Sequence, residues 1–502
     1  MSSLKYCIIL YLCQNSLCNL LSGPSGLLLA HKLIKSQIPI NKLDIYEYRS
    51  DPRDEQNLGA SRAYALGLGI RGRTAIQTVD NELWESVKKR GYECERFKLH
   101  LTPKINIKLR DREEGVQPSV LIYQSDLCGQ LLDELEKRAN ANVVDILFDS
   151  PITEVDLDQS TMSFTKDERT YIQQPYDLII GCDGANSIVR KSMQEFSPPN
   201  TFSYTQRKLL PGCFKTARAE SMPPLIDPES VSLILPKSSS ITAFVEPTVD
   251  GGGCILFAGK LSDSNTTSVS DSSDKDIGSL LFPRPESYKK GEPPQQSDID
   301  TLSNLILAQF PLLEGTNGLD DLSKQLLSQR SSVASSVKCN TYSSSSGTPV
   351  AIVGDAGHAT GGVSGQGCNS ALMDAVTLSD CLEKEYKPPT EFIYNTQNAK
   401  RDLLHKGISS YSQKAVPEGH ALYDLSFGND GKTLPIFRNI KSLLSTGIDA
   451  VFRGRFGIGK KPLQTLLASS LTSFVDIRRD REKYYVEDFP SDETFRQELS
   501  RL

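Results

Sequence analysis

The chain has 502 residues, which is long enough for two or three domains with hydrophobic cores of their own. Its 56 Lys and Arg residues face 62 Asp and Glu residues, and the net charge of -6 without a basic block argues against nucleic acid and favours a small-molecule partner. The 11 cysteines are scattered without Cys-x-x-Cys spacing, which argues against a metal site or disulfide framework and indicates an intracellular compartment.

Both ends of the chain resemble short targeting signals. The first residues, "MSSLKYCIILYLCQ", place one Lys before an apolar run that is too short to span a bilayer. The last three, Ser500, Arg501 and Leu502, differ from the peroxisomal S-K-L signal only by Arg for Lys. We expect a cytoplasmic protein without a transmembrane anchor, with peroxisomal import and, from a signal peptide in the N-terminal run, secretion as the alternatives.

Residues 18–33, "CNLLSGPSGLLLAHKL", resemble the phosphate-binding turn G-x-G-x-x-G, with Leu21, Gly23 and Gly26 at its three glycine positions. A helical pattern and the strand-like "KLDIYEY" follow. This strand ends near Glu47, 21 residues beyond Gly26, close to the spacing at which an acidic side chain binds the ribose of a dinucleotide. Gly23, Gly26 and Glu47 are therefore candidate cofactor-binding residues.

A second glycine-containing turn lies in "LIIGCDGANSIVR", residues 178–190. An apolar strand leads to Asp183 and Gly184, and Arg190 follows as a cation. Asp-Gly is among the commonest turn dipeptides, so this pattern taken by itself favours an ordinary surface turn.

A third motif, "VGDAGHATGGVSGQGCNSALMDA", spans residues 353–375 and is more specific. Asp355 follows a strand, where its carboxylate can hold the hydroxyls of a cofactor, and "GQGCN" opens a helix whose N-terminal N–H groups suit a pyrophosphate or a flavin carbonyl. The alternative is a glycine-rich lid without a ligand. The candidate binding residues of this motif are Gly354, Asp355, Gly365, Gly367 and Asn369.

These motifs, in this order, resemble the flavin-dependent aromatic hydroxylases, the family of para-hydroxybenzoate hydroxylase, from about Ser22 to Phe427. The resemblance implies an α/β fold in which an FAD-binding Rossmann-like (GR2-type) domain occupies residues 1–190 and 340–385. Short alternating segments predict an antiparallel-sheet substrate domain over 191–339, with a Ser-, Asp- and Pro-rich mobile insert at 262–298. A helical region is expected over 386–502.

The resemblance also assigns roles to individual residues. Gly23, Gly26 and Glu47 are implied to bind the ADP half of FAD, and Asp355 its ribitol. The segment with Asp183, Gly184 and Arg190 is implied to contact FAD and NAD(P)H, and "YQSDLCGQL" brings Gln124 toward the flavin.

Two segments resemble the kynurenine 3-monooxygenase branch: "SRAYALGLGIRGRTAI" (61–76) and "VPEGHALYDLS" (416–426). Gly362 stands where relatives usually have a proline, and Arg96 is only near the position of the basic residue that holds an amino-acid carboxylate. "FGND" follows "DLS" in place of tyrosines, and the C-terminal membrane anchor of the animal enzymes is absent. These departures predict a retained FAD site and leave the substrate open.

The implied reaction uses NAD(P)H to reduce FAD and O2 to form a flavin C4a-hydroperoxide, which hydroxylates a small aromatic substrate. The cofactor carries the chemistry, so no side chain is predicted as catalytic. His358 is expected to be structural, and Arg71 and Arg73 either contact the cofactor or cap a helix. The alternatives are an isoprenoid epoxidase or reductase of the same fold and a degenerate, non-catalytic binding protein.

Leu21 is the irregular feature of the first motif, because its Cβ enters a crowded turn and the strand-like "KYCIILYL" ends as far upstream as Leu12. Either the turn is tolerated with weaker FAD binding, or residues 13–21 form a loop between strand and turn. The third interpretation is an incorrectly predicted gene start for the first 21 residues. We favour the third, because agreement with the family begins abruptly at Ser22.

Overall fold

The computed structural model describes residues 4–10, 23–54, 64–112, 114–140, 143–172, 175–259, 276–283, 292–362, 364–386, 397–427 and 463–482. The strands in chain order are β1 (Leu4–Leu10), β2 (Ile40–Glu47), β3 (Ala65–Leu68), β4 (Tyr92–Cys94), β5 (Arg96–Thr102), β6 (Ile105–Arg110), β7 (Ser119–Tyr123), β8 (Val144–Leu147), β9 (Ile152–Asp156), β10 (Thr161–Lys166), β11 (Arg169–Ile172), β12 (Leu178–Gly181), β13 (Tyr204–Ala219), β14 (Ser230–Ile234), β15 (Thr242–Pro247), β16 (Gly253–Gly259), β17 (Ser332–Cys339) and β18 (Val350–Ile352). The helices are α1 (Pro24–Lys35), α2 (Ile70–Val79), α3 (Asn81–Lys88), α4 (Gln124–Arg138), α5 (Ile188–Phe196), α6 (Ile277–Leu281), α7 (Gln296–Gln309), α8 (Leu319–Leu327), α9 (Asp355–His358), α10 (Gly367–Glu385), α11 (Gln397–Phe427), α12 (Leu463–Ser469) and α13 (Phe474–Glu482).

A five-stranded parallel sheet, in the order β18-β12-β1-β2-β8, forms the first half of the molecule. The strand β1 is central and pairs with both β2 and β12. Residues 11–22, including Leu21, lie outside the described residues. The three interpretations of the segment between β1 and the first motif therefore stay predictions.

The helix α1 follows the first motif and packs against the parallel sheet. Pro24 occupies its first turn, where a missing N–H costs nothing. Leu27, Leu28 and Leu33 are fully buried, so the apolar residues of this helix anchor it to the core. Because the carboxyl ends of parallel strands meet at one edge of a sheet, the loops after β2, β12 and β18 converge there.

A seven-stranded sheet, in the order β17-β13-β16-β15-β14-β5-β6, forms the second half. Its pairs are antiparallel except β14 with β5, which run parallel. Residues 96–110 were predicted to belong to the first domain, but they supply two edge-side strands of this sheet. The prediction missed them because sequence distance does not indicate which sheet a short strand joins.

This sheet is covered on both faces. Its outer face packs on α6, α7 and α8 through a core that includes Phe257, Ile306 and Leu326. The inner face, as we call the opposite one, packs on the small sheet β3-β7-β4 through contacts such as Cys254 with Tyr123. The inner face therefore points toward the FAD-binding half that the sequence predicts.

The predicted mobile insert is in part an ordered piece of this core. Ile277, Leu281 and Phe282 are buried under the outer face, so the prediction for 262–298 is wrong at residues 276–283. Composition concealed these apolar residues because they stand between two polar stretches. Residues 260–275 and 284–291 lie outside the described residues.

The described C-terminal helices pack back on the first half of the chain. The guanidinium of Arg71 donates to the carbonyl of Leu467 at 2.6 Å and stacks on the ring of Phe474 at 4.1 Å. Arg73 likewise bonds to Gln117 and Pro118. Both arginines are thus engaged by protein atoms. The tripeptide 500–502 lies outside the described residues, and no described helix has the length and apolar character needed to cross a membrane.

Candidate functional site

Three strand ends meet around the first motif. A Cβ added at Gly23 would lie 3.6 Å from the carbonyl oxygen of Cys182, just after β12, and one added at Gly354 would lie 3.6 Å from Ser25 Oγ. Gly354 also has a φ of 62°, and its added Cβ would lie 2.7 Å from that of Ala371. A side chain at Gly354 is therefore excluded both by conformation and by packing.

Gly26 and Glu47 lie at the same edge. Gly26 N donates to Gly23 O at 3.0 Å within the first turn of α1. Glu47 ends β2 and is 2 % exposed, and its carboxylate accepts a hydrogen bond from Arg49 N at 3.0 Å. The acidic side chain is thus fixed where the sequence places the ribose contact.

Asp183 caps the helix that follows it. Its Oδ2 accepts from Ile188 N at 2.7 Å and from Val189 N at 3.1 Å, at the start of α5. Burial raises the pKa of this carboxyl, and the hydrogen bonds from Ser187 and Val189 partly offset the rise. Gly184, with a φ of 72°, makes the turn between them. Its contacts give Asp183 a structural task, whether or not it also contacts a cofactor.

Arg190 is fully buried and links three segments. Its guanidinium donates to Ala356 O at 2.8 Å, to Ala185 O at 2.6 Å and to Gln206 Oε1 at 3.2 Å. It also stacks on the ring of Tyr204 at 4.6 Å. The side chain braces the Asp183 turn and β13 against the loop that carries Asp355.

Asp355 contrasts with these braced residues. Its carboxylate makes no hydrogen bond or ion pair with any described residue, although it is half-buried at the start of α9, beside the N-terminus of α10. Burial raises the pKa of Asp355, while His358 and Arg190 lower it in part. A desolvated carboxylate without a protein donor has the capacity to accept hydrogen bonds from ligand hydroxyls.

The side chain of Asn369, like that of Arg190, forms hydrogen bonds with backbone groups of the protein. Its Oδ1 accepts from Gly69 N at 2.9 Å and from Gly72 N at 3.1 Å, and its Nδ2 donates to Gly67 O at 2.9 Å. It thereby satisfies the N-terminal N–H groups of α2, which have no partner within that helix.

The glycines at the N-terminus of α10 leave room for a ligand near the helix end. Gly365 has a φ of 65°, and an added Cβ there would meet nothing within 4 Å. A Cβ at Gly367 would lie 3.9 Å from Asp355 Oδ1. The helix N-terminus and the Asp355 carboxylate therefore border the same space.

Gln124 begins α4 and is 8 % exposed. Its backbone N donates to Tyr64 O at 3.0 Å, and its side-chain amide has no described hydrogen-bond partner. Tyr64 in turn lies beside the glycine-rich loop, since a Cβ at Gly362 would be 3.6 Å from the Tyr64 hydroxyl. Tyr64 therefore lies beside both Gln124, the expected flavin neighbour, and the glycine-rich loop at Gly362.

Four partly exposed side chains lie in one region: Tyr64, Asp355, Cys368 and Glu246. Burial raises the pKa of each. Tyr64 is beside the glycine-rich loop at Gly362, and its neighbour Ala65 packs on Cys254, which is opposite Glu246 in the register. We call this region around Tyr64 the internal space. The sequence analysis missed Tyr64 and Glu246.

Glu246 reaches this space from the inner face. Ala243 and Val245 of β15 lie in the outer core, so strand alternation places Phe244 and Glu246 on the inner face. Glu246 is opposite Cys254 in the register, and Phe244 is opposite Leu256. The sequence offered one sign of this residue: Glu246 is the only charged residue in the largely apolar segment "ITAFVEP".

Two residues lie elsewhere. Arg96 is on the edge-side strand β5 and bonds to Glu229 at 2.7 Å with its side chain 39 % exposed. His358 is buried and pairs with Asp374; burial favours a lower pKa, but the carboxylate outweighs it and raises the pKa of His358. Neither residue borders the space around Tyr64. Among the described residues, no cluster of His, Cys, Asp or Glu is arranged to hold a metal ion.

Curated proteins with similar sequences are kynurenine 3-monooxygenases. The Neurospora crassa enzyme is 27 % identical over 413 residues, covering 77 % of this chain and 72 % of its own. The Anopheles gambiae enzyme is 25 % identical, covering 81 % of this chain and 72 % of its own. No protein-family model matches the chain.

Solved structures of flavin hydroxylases share the fold. The tetrameric form of 2-methyl-3-hydroxypyridine-5-carboxylic acid oxygenase superposes with a TM-score of 0.59 at 14 % identity, covering 93 % of this chain and 96 % of its own. For p-nitrophenol 4-monooxygenase from Pseudomonas putida the TM-score is 0.54 at 14 % identity, over 96 % and 98 %. These matches confirm the predicted fold class, and the sequence relatives support an FAD-dependent monooxygenase that is similar to the flavin-dependent aromatic hydroxylases.

Proposed function

We propose that the chain hydroxylates a small aromatic substrate with NAD(P)H and O2, as its kynurenine 3-monooxygenase relatives suggest. One observation carries the proposal: Tyr64 is beside the glycine-rich loop that leads to α10, and its neighbour Ala65 packs on Cys254, the inner-face residue opposite Glu246. A cofactor held by Asp355 would thus meet a substrate lying on the inner face.

The overall reaction consumes one O2 and one NAD(P)H with a proton. One oxygen atom replaces an aromatic hydrogen as hydroxyl, and the other leaves as water. Bound FAD would take the hydride from NAD(P)H and activate O2 for oxygen transfer. The protein supplies binding, orientation and exclusion of water.

The proposed FAD contacts follow the strand ends. The N-terminus of α1, with Gly23 and Gly26, would bind the pyrophosphate, because helix N–H groups and the helix dipole favour an anion there. Glu47 would bind the ribose, and Asp355 would accept hydrogen bonds from the ribitol.

Further proposed contacts lie around the flavin ring. The N-terminus of α10, opened by Gly365 and Gly367, would approach a flavin carbonyl, and Gln124 would donate to the ring from α4. Gly354, Gly184, Asp183, Arg190 and Asn369 would hold these loops in position through the contacts described above.

The chemistry of the inner face bears on the alternative isoprenoid substrate. A hydrocarbon would leave the Glu246 carboxylate buried without a polar partner, which is costly. An aromatic substrate with a polar substituent suits the face better.

The test is the visible spectrum of the purified chain, followed by NADPH oxidation in air with and without kynurenine. We expect a yellow protein whose NADPH oxidation accelerates with an aromatic substrate and yields a hydroxylated product. Acceleration without hydroxylated product, with all reducing equivalents recovered as hydrogen peroxide for every aromatic tested, would contradict the proposal.

A further inference from the structure

Glu246 is an acidic side chain in a setting that otherwise suits a hydrocarbon ring. Leu99, Leu233, Phe244 and Leu256 are aligned across four neighbouring strands of the seven-stranded sheet. These residues lie on the inner face, and Glu246 follows Phe244 by two positions on the same side. The row of apolar side chains on the inner face thus has a carboxylate, that of Glu246, beside Phe244.

No cation among the described residues forms an ion pair with this carboxylate. Within the described ranges, no Lys, Arg or His nitrogen lies within 4.0 Å of Glu246, and its carboxylate has no hydrogen-bond partner. The nearest cation along the register is Arg218, which is opposite Cys254 on β13 and therefore two strands away, about 10 Å. Its guanidinium stacks on the ring of Tyr123 at 3.8 Å.

Burial without a counter-ion has a measurable consequence. It raises the pKa of Glu246 to about 8. A buried carboxylate of this kind is costly unless something supplies the missing positive charge or hydrogen bonds. Since no described residue supplies them, the sources are a proton, below about pH 8, and a ligand bound beside Glu246.

We infer that Glu246 selects substrates whose aromatic ring carries a side chain ending in a cationic amino group without a carboxylate. The substrate class is then an arylalkylamine rather than an aromatic amino acid. This inference rests on the proposed function, because it places the substrate between the inner face and FAD.

The positions of the arginines support the absence of a carboxylate. Arg96, the basic residue nearest to the family position, is engaged by Glu229 on the exposed edge. On β5 the inner-face neighbour of Leu99 is Phe97, which is apolar. An amino acid would therefore present its carboxylate to Glu246 without a basic residue beside it.

The experiment compares kynuramine with kynurenine, which differ by one carboxylate, using calorimetry on the holoenzyme. The neutral control ligand is ortho-aminophenyl ethyl ketone, which keeps the ring and ketone but lacks the terminal amine. We expect kynuramine to bind at least about tenfold more tightly than kynurenine at pH 8. Equal binding, tighter binding of kynurenine or binding of neither ligand would overturn the inference.

The variant Glu246→Gln removes the charge and keeps the shape. We expect it to weaken kynuramine about tenfold or more while changing the affinity for the neutral ketone by less than about twofold. Glu229→Gln, an exposed carboxylate on the same sheet, is the matched control and should bind like the wild type. Unchanged kynuramine affinity in Glu246→Gln would overturn the inference.

The pH dependence gives a second readout. Below pH 8 free Glu246 is protonated, so binding an ammonium group must release that proton, and affinity should fall about tenfold per pH unit from 8 toward 6. The titratable groups facing Glu246 are Tyr64, Cys94 and Cys254, whose pKa values burial raises, so they stay neutral in this range. A flat profile in the wild type would contradict the role of Glu246.

The design separates this inference from the proposed function. Glu246-dependent kynuramine binding without a hydroxylated product would contradict hydroxylation and leave the recognition by Glu246 in place. Hydroxylation of aromatics that is indifferent to Glu246→Gln would support the proposed function and contradict the inference.

Discussion

The loops at the strand ends and the inner face of the large sheet border the same space but are built differently. In the loops, Asp183, Arg190 and Asn369 each form several hydrogen bonds with other protein groups, although Asp183 Oδ1 and Arg190 Nε have no described partner. On the inner face, Glu246 has no protein partner within the described residues. The sequence motifs thus mark mainly residues that shape the proposed cofactor site, whereas Glu246, on the proposed substrate side, lies outside any motif.

The two regions differ because loops contain many backbone groups without a hydrogen-bond partner, and polar side chains bind to those groups. Helix termini leave N–H groups without intrahelical partners, and Asp183 and Asn369 satisfy them. A sheet satisfies its own backbone, so its side chains are available for a ligand. Asp355 differs from the other polar loop residues, because its carboxylate has no hydrogen-bond partner among the described residues.

The strongest test of the comparison is Arg190→Met. It leaves the carbonyl of Ala356 without its donor and that of Ala185 with the Gln206 amide alone, so the free energy of unfolding should fall by about 3 kcal/mol, measured by denaturant titration. The neighbouring exposed Lys191→Met is the control and should change it by less than about 0.5 kcal/mol. Loss of FAD without loss of stability would instead make Arg190 a direct cofactor contact.

Asp355→Asn tests the loop carboxylate without a described partner. Removing a partnerless buried charge should leave the apoprotein as stable or more stable, while the dissociation constant of FAD rises about 10- to 100-fold because the amide is a weaker acceptor. Flavin fluorescence titration measures the affinity. The exposed Asp380→Asn is the control, and equal FAD affinity in both variants would remove Asp355 from the cradle.

The core behind the loops should be acid-sensitive. Burial lowers the pKa of His31 to about 4, and its Nε2 bonds to Leu131 O at 2.8 Å. Because the folded pKa is below the unfolded value of 6.5, stability is present above pH 6.5 and is lost as pH falls toward 4. Between pH 7 and pH 5 the loss from this residue should be about 2 kcal/mol.

His31→Gln retains a donor and should remove that part of the pH dependence in denaturant titrations at the two pH values. His358 has the opposite sign, since its raised pKa stabilises the fold below pH 6.5 and that contribution is lost as pH rises through the folded value. An unchanged slope between pH 7 and pH 5 in His31→Gln would refute the assignment.

The smallest expected effect is that of Arg96→Ala. Its ion pairs with Glu229 and Asp111 are exposed, so the free energy of unfolding should change by less than about 1 kcal/mol. The KM for an aromatic substrate should remain within about twofold of the wild type, because Arg96 lies outside the internal space. A large rise in KM would extend the substrate site to the sheet edge and weaken the contrast drawn above.

The sequence indicated the fold class and the strand-end turns because a Gly-rich turn, a strand and an acidic residue follow from local chain geometry. It did not reveal that β5 and β6 join the large sheet, since a parallel pairing across more than a hundred residues leaves no local trace. It also missed Tyr64 and Glu246. Their importance arises from packing of two separate halves, and a single carboxylate in a strand resembles any solvent-facing residue until its face is known.

The strand β13 has a consequence for how ligands enter. It is 16 residues long, and a guanidinium stacks on an aromatic ring near each end, Arg190 on Tyr204 and Arg218 on Tyr123. Typical strands have five or six residues. A long strand that is held by a stacked pair at each end resists rotation of one sheet against the other. Substrate entry and product release should therefore require movement of connecting segments and not a hinge motion between rigid bodies.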